Sequence, residues 1–225
     1  MSYPPGTWPW LAAFARWLGR WIFHLPYRYR VHGRDRVPRT GPVVVVANHS
    51  SFLDGPMVFG ALGRPAVFLI KQEMFRGPLR VALPRIGQLS IRQHSAAREP
   101  LLAAVRVLKD GGLVGVFPEG HRGAGDVTEA ENGAAWLART SGATVLPIAV
   151  RGTHKALSGE GFRRRVDVLI GEPVTPSAVR GRTGLAEATE QVRVALATLV
   201  SELDRRRDGS DVSGRGQKDM GVTGE

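Results

Sequence analysis

Residues 43–54 read Val-Val-Val-Val-Ala-Asn-His-Ser-Ser-Phe-Leu-Asp. Four β-branched residues in succession predict a strand buried on both faces, the pattern of a parallel sheet covered by helices. The run stops at Asn48-His49, and a carboxylate, Asp54, follows five residues after the histidine. Residues just past the carboxyl end of such a strand are where open α/β sheets meet their ligands.

Outward from this strand the chain alternates. Residues 27–32 read as an edge strand, followed by a turn region with Gly33, Pro38, Gly41 and Pro42. Beyond the decisive stretch, 54–62 read as a short helix, 66–70 as a strand and 72–82 as a helix. Residues 87–91 read as a strand, 96–109 as an amphipathic helix, 113–117 as a strand and 129–141 as a helix. Two strands, 144–150 and 166–170, and a last helix, 184–207, complete the order. This order predicts the α/β class: a mostly parallel sheet covered by helices. Residues 208–225 are polar and without periodicity, so a disordered tail is expected there.

Residues 8–25 have a helical period. Trp10, Phe14, Trp17 and Trp21 fall on one stripe, with Leu11, Leu18 and Leu25 beside it and Arg16 and Arg20 opposite. Indole rings favour the headgroup zone of a membrane, and neighbouring arginines suit anionic lipid. The competing reading is a helix that packs this stripe onto the protein's own core. Residues 1–26 are thus expected to form an amphipathic, membrane-contacting amino-terminal helix. The two arginines interrupt it, and a spanning helix needs about 20 apolar residues. No secretion leader is expected either, for want of a basic start and a cleavage site.

The 225 residues suffice for one α/β domain with its own core. With no cysteine, a disulfide, a thiol nucleophile and a cysteine zinc site are all excluded. The net charge of +11 favours anionic partners: anionic lipid, phosphorylated substrates or nucleic acid. No helix-turn-helix or stacking-aromatic signature accompanies the charge, so nucleic acid is not expected.

Several expected strand ends carry polar residues: Asn48 and His49 after the first core strand, Lys71 after the second, Arg92 after the third. Glu119, Gly120, His121 and Arg122 follow the fourth. Asp54 can accept the proton of one ring nitrogen of His49, leaving the other free to take a proton from a hydroxyl. The same residues also suit a helix cap. Ser50 and Ser51 lack the Gly-x-Ser-x-Gly elbow of a serine nucleophile, and no second histidine stands at metal-ligand spacing. Lys71, Arg92 and Arg122 read as a phosphate site, arginine through its bidentate fork. Glu119 can accept hydrogen bonds from a polyol or hold Arg122.

In their order these residues resemble the phospholipid/glycerol acyltransferase family, to which bacterial 1-acylglycerol-3-phosphate acyltransferases belong. Asn48-His49-x4-Asp54 resembles its first block, the catalytic His-x4-Asp. Gly87 to Arg92 resembles the second, whose arginine is assigned to acceptor phosphate. Phe117-Pro118-Glu119-Gly120-His121-Arg122 resembles the third, usually Phe-Pro-Glu-Gly-Thr-Arg. Val145-Leu146-Pro147-Ile148 resembles the fourth, a hydrophobic strand linked to acyl-donor binding. His121 in place of threonine departs from the pattern and keeps the identity of the acceptor open.

The resemblance implies an O-acyltransferase domain over 27–207. His49 and Asp54 would be catalytic, and Asn48, Lys71, Arg92, Glu119, Gly120 and Arg122 would bind substrate, with Pro147 in the acyl-donor region. The implied reaction moves a fatty acyl group from acyl-CoA or acyl carrier protein to the free hydroxyl of 1-acyl-sn-glycerol-3-phosphate. Glycerol-3-phosphate or another lysophospholipid is the alternative acceptor, and a non-enzymatic basic surface protein the more distant alternative. No metal and no resident cofactor are implied. The expected location is the cytoplasmic face of the cell membrane, as a peripheral protein seated through Trp10, Phe14, Trp17 and Trp21.

Overall fold

The computed structural model describes residues 3–92, 98–119, 125–128, 130, 132–153, 164–177, 179 and 181–216, with side chains as far as 209. The elements in chain order are α1 (Pro9–Trp21), β1 (Tyr27–His32), β2 (Val43–Ala47), α2 (Asp54–Ala61), β3 (Ala66–Lys71), α3 (Leu79–Arg85) and β4 (Leu89–Ile91). They continue as α4 (Arg98–Lys109), β5 (Leu113–Val116), α5 (Gly133–Ser141), β6 (Thr144–Arg151), β7 (Arg164–Ile170) and α6 (Gly181–Gly216).

The strands form one sheet of order β1-β7-β6-β2-β5-β3-β4. All neighbouring pairs are parallel except β6 and β7. The chain is therefore α/β with a mostly parallel sheet, as its alternation predicts. The carboxyl ends of β2, β3, β4, β5 and β6 share one rim, where the amino ends of β1 and β7 also lie.

The four valines of β2 explain its central place. Val44 and Val46 enter the core under α4, α5 and α6, while Val43, Val45 and Ala47 enter the core under α2. All five are fully buried. At about 1.5–3 kcal/mol for each buried valine side chain, few other segments of this length would gain as much from the centre of a sheet.

Helix α1 lies over α2 with its aromatic stripe turned outward, as the membrane-contacting reading expects and the core-packing reading does not. Its small residues, Ala12 and Gly19, face inward. Gly19 meets Gly60 so closely that a Cβ on Gly60 would stand 2.4 Å from the Gly19 carbonyl. The aromatic stripe points out to solvent, with Trp10 65% exposed and Trp17 58%. Among the described residues, no helix is long and apolar enough to cross a membrane.

Among the boundaries that differ from the sequence expectation, three have clear local reasons. The helix expected over 72–82 is split into a short 3-10 turn, Gln72–Met74, and α3. Gly77 takes a φ of +51° between them, and Pro78, which lacks an N–H, opens α3. The strand expected from residue 87 begins at Leu89, because the Gln88 side chain takes the place of a ladder residue. Its Oε1 accepts from Phe68 N at 2.7 Å. Helix α6 runs on to Gly216, through residues expected to belong to the tail. Buried Leu196, Leu199, Val200 and Leu203 fix its central turns, and a nucleated helix extends by one hydrogen bond per added residue. Residues 217–225 lie outside the described residues.

Candidate active site

Strand β2 ends at Ala47 while its neighbour β6 continues to Arg151. The N–H and C=O of Val150 are thereby left without a strand partner. The Asn48 side chain replaces one. Its Oδ1 accepts from Val150 N at 2.7 Å, and its Nδ2 donates to Val150 O at 3.0 Å and Gly125 O at 3.2 Å. Asn48 is fully buried, with both amide hydrogens engaged. It was expected to bind substrate; the structure makes it an extension of the sheet.

The next residues wrap around Asp54. Ser50 N and Ser51 N each donate to Asp54 Oδ2 at 2.7 Å, and Asp54 N donates back to Ser51 O at 3.1 Å. The same Oδ2 lies 3.2 Å from His49 Nδ1. On its other oxygen, Asp54 Oδ1 accepts the hydroxyl of Thr153 at 2.6 Å. Asp54 is fully buried and opens α2, where the helix dipole favours a negative charge. The carboxylate thus closes the turn ahead of α2 and orients the histidine; it does not cap the helix, whose start at Leu53 has no side-chain hydrogen bond.

His49 is held on its other sides as well. Its ring stacks on Phe117 with centroids 4.3 Å apart and planes 27° from parallel. Phe117 is backed by Phe68 at 6.2 Å. Phe68 occupies space that a side chain at Gly115 would fill, since a Cβ there would stand 2.4 Å from the Phe68 ring. The His49 side chain stays 16% exposed. With Nδ1–H directed at Asp54, Nε2 is the nitrogen left for a proton from outside.

Glu119, expected at the substrate, accepts from His49 N at 2.9 Å, so it braces the histidine's backbone. Lys71 is the last residue of β3 and pairs in register with Ile91. Arg92 follows directly and donates from Nε to Gln72 Oε1. The two cations thus lie at the ends of adjacent strands. Gly120, His121 and Arg122 lie outside the described residues. Pro147 is not at the rim. It is buried within β6 beside Val46, and its carbonyl accepts from Gly171 N at 2.9 Å.

Two further residues, Thr153 and Arg151, shape the site and escape the sequence reading, as does the stacking of Phe117, named there only as part of a block, on His49. Arg151 donates to Asp204 through Nε and Nη2, at 2.8 and 2.9 Å, and to Asp126 at 2.8 Å and Gly125 O at 3.1 Å. Burial pulls its pKa down, but the hydrogen bonds to Asp204 and Asp126 outweigh that and raise it overall. It ties residues 125–126, which cover Asn48, to α6. Thr153 stands two residues beyond β6, at the rim where polar strand-end residues collect.

The chain is similar to known proteins in sequence and fold. The family model described as Acyltransferase matches residues 28–151. A 1-acyl-sn-glycerol-3-phosphate acyltransferase of Borreliella burgdorferi is 27% identical over 128 residues, 55% of this chain and 51% of that protein. The enzyme of that name from Bacillus subtilis is 25% identical over 183 residues, 78% of this chain and 90% of that protein. The chain therefore spans about half the length of the first relative and most of the second. The crystal structure of the 1-acyl-sn-glycerophosphate (LPA) acyltransferase PlsC from Thermotoga maritima superposes with a TM-score of 0.68 at 25% identity. That match covers 86% of this chain and 79% of the other.

Proposed function

The chain belongs to the Acyltransferase family, and from that premise we propose that it acylates the free hydroxyl of 1-acyl-sn-glycerol-3-phosphate to give phosphatidate. The donor is a fatty acyl thioester, acyl-CoA or acyl carrier protein. The observation that carries the reading is the 3.2 Å approach of His49 Nδ1 to a fully buried, fixed Asp54.

His49 Nε2 takes the proton of the acceptor hydroxyl as that oxygen attacks the thioester carbonyl. The carbon–sulfur bond breaks, and the departing thiolate receives the proton from His49. No acyl-enzyme forms. General-base action supplies about 10²–10⁴ in rate, and the positioning of both substrates supplies much of the remainder. Lys71 and Arg92 hold the acceptor phosphate, with Arg122 assigned there by the family block. The acyl-donor assignment of Pro147 rests on the resemblance of its block alone.

A lipid acceptor is favoured over glycerol-3-phosphate by the outward aromatic face of α1. Trp10, Phe14, Trp17 and Trp21 seat the protein peripherally on the cytoplasmic leaflet, and the excess cationic charge strengthens docking on anionic lipid.

Thiol release from acyl-CoA, with and without added lysophosphatidate, tests the proposal. Release should depend on the lysolipid and vanish in His49→Ala with the fold retained. Near-normal turnover by that variant overturns the base assignment. Acceleration by glycerol-3-phosphate alone would change the acceptor.

A further inference from the structure

Helix α1 is not the one loosely covered element on its side of the sheet. From Lys71 to Ile86 every residue is at least partly exposed, and α3 contains no buried residue. The segment is nevertheless rich in apolar side chains: Met74, Phe75, Leu79, Val81, Leu83 and Ile86. Val81 is 48% exposed. Its charges are one-sided, with Lys71, Arg76, Arg80 and Arg85 against Glu73. A short helix with exposed apolar residues and a surplus of arginine has the composition of an interfacial membrane segment.

Its position makes it continuous with α1. Trp8 N donates to Arg85 O at 2.8 Å, and the Arg85 guanidinium sits 4.5 Å from the centre of the Trp8 ring. The right-handed rule for parallel crossovers puts the β2-to-β3 and β3-to-β4 connections on one face of the sheet. Helices α1, α2 and α3 therefore share that face. The segment also joins Lys71 to the strand that carries Arg92.

We infer that α3 with its flanking residues 71–86 is a second docking element for an anionic lipid leaflet, co-facial with α1. It rests on the reading that α1 seats on such a leaflet. Two contacts fix the tilt of the molecule where one would leave it free to roll. The connection between the two phosphate-holding cations then lies at the headgroups from which the acceptor comes.

The test uses the full chain and sedimentation with vesicles of phosphatidylglycerol and phosphatidylcholine. Arg76→Gln/Arg80→Gln and, separately, Val81→Asp are compared with the unaltered protein. Each cation at such a surface contributes about fivefold to binding, so loss of two is expected to weaken it about 30-fold on anionic vesicles. Turnover of a short-chain lysophosphatidate dispersed as monomers should stay within about twofold, because neither arginine nor Val81 belongs to the catalytic rim. Vesicle affinity equal to that of the unaltered protein in both variants overturns the proposal, as does an equal loss of turnover on the dispersed substrate. A parallel Trp10→Ser/Trp17→Ser variant tests α1 alone. Unchanged binding in that arm defeats the α1 reading and leaves the α3 arm with its own answer.

Discussion

Thr153 Oγ1 donates to Asp54 Oδ1 over 2.6 Å, linking the end of β6 to the first residue of α2 across 99 positions of sequence. Its one proton is engaged there, so the Thr153 oxygen accepts from Ser50 Oγ at 3.1 Å. Thr153→Val keeps the shape and leaves a buried carboxylate oxygen without its donor, an expected loss of about 1.5–3 kcal/mol. Thr153→Ser should recover most of it. Urea unfolding of both variants, with the pH profile of kcat/KM, separates the hydroxyl from simple packing. Equal behaviour of valine and serine would mean that the hydroxyl does not position Asp54.

Asn48→Ala exposes the opposite distinction. It strands Val150 N and Val150 O in a buried place, while Gly125 O keeps its bond from Arg151, for an expected cost of about 1–3 kcal/mol. The acceptor's KM should hardly move, since the amide faces the sheet. Thermal unfolding and acceptor titrations check this. A raised KM at unchanged stability would restore the substrate-binding role expected from the sequence.

Gly60→Val should lift α1 from α2, because its Cβ overlaps the Gly19 carbonyl at 2.4 Å. Overpacking of this kind typically costs about 1–3 kcal/mol. Gly133→Ala is the control: it begins α5 with nothing near its added methyl, and its effect should be neutral or favourable by up to about 1 kcal/mol. Denaturant midpoints and protease cleavage within α1 read the difference.

Alkali should find Tyr29. Burial pushes its phenol well above the ordinary tyrosine range, against a smaller opposing pull from Arg34, and its hydroxyl donates to Met57 O at 2.8 Å. The unfolded phenol ionises near pH ~10, below the folded one, so above that the unfolded chain binds fewer protons. Tyr29 therefore contributes its full stability below pH ~10, and that contribution falls as pH rises toward the folded value. Tyr29→Phe should flatten the alkaline decline in the urea midpoint, at a cost of about 0.5–1.5 kcal/mol for the lost hydrogen bond at neutral pH.

How much of this was legible depended on how local each feature is. Val43–Ala47 announces a buried strand because both of its faces are apolar. The His49–Asp54 pair can be read because the two residues lie within one turn of chain. Thr153 reaches Asp54 and Phe117 reaches His49 across strands, and no spacing rule reports that. Asn48 and Glu119 were placed at the substrate because polar residues past a strand suggest ligands. In the structure Asn48 meets backbone groups of Val150 and Gly125, and Glu119 accepts from His49 N, contacts set by where neighbouring strands end. Pro147 lies buried within β6, a depth that a motif does not report. In α1 both the stripe and its outward direction were legible, from the crowding of aromatic residues beside arginines. Large apolar residues ordinarily face inward, and here Ala12 and Gly19 do so instead.

That last arrangement separates two jobs that amphipathic helices usually combine. At its closest crossing α1 grips the domain through backbone contact at Gly19 and Gly60, while its large outer aromatic side chains stay more than half exposed. Trp10, Phe14, Trp17 and Trp21 can accordingly be exchanged for other residues with little loss of folding stability. The outer face becomes an adjustable anchor: its grip on a surface can be strengthened, weakened or retuned to a different lipid composition while the catalytic rim stays as it is.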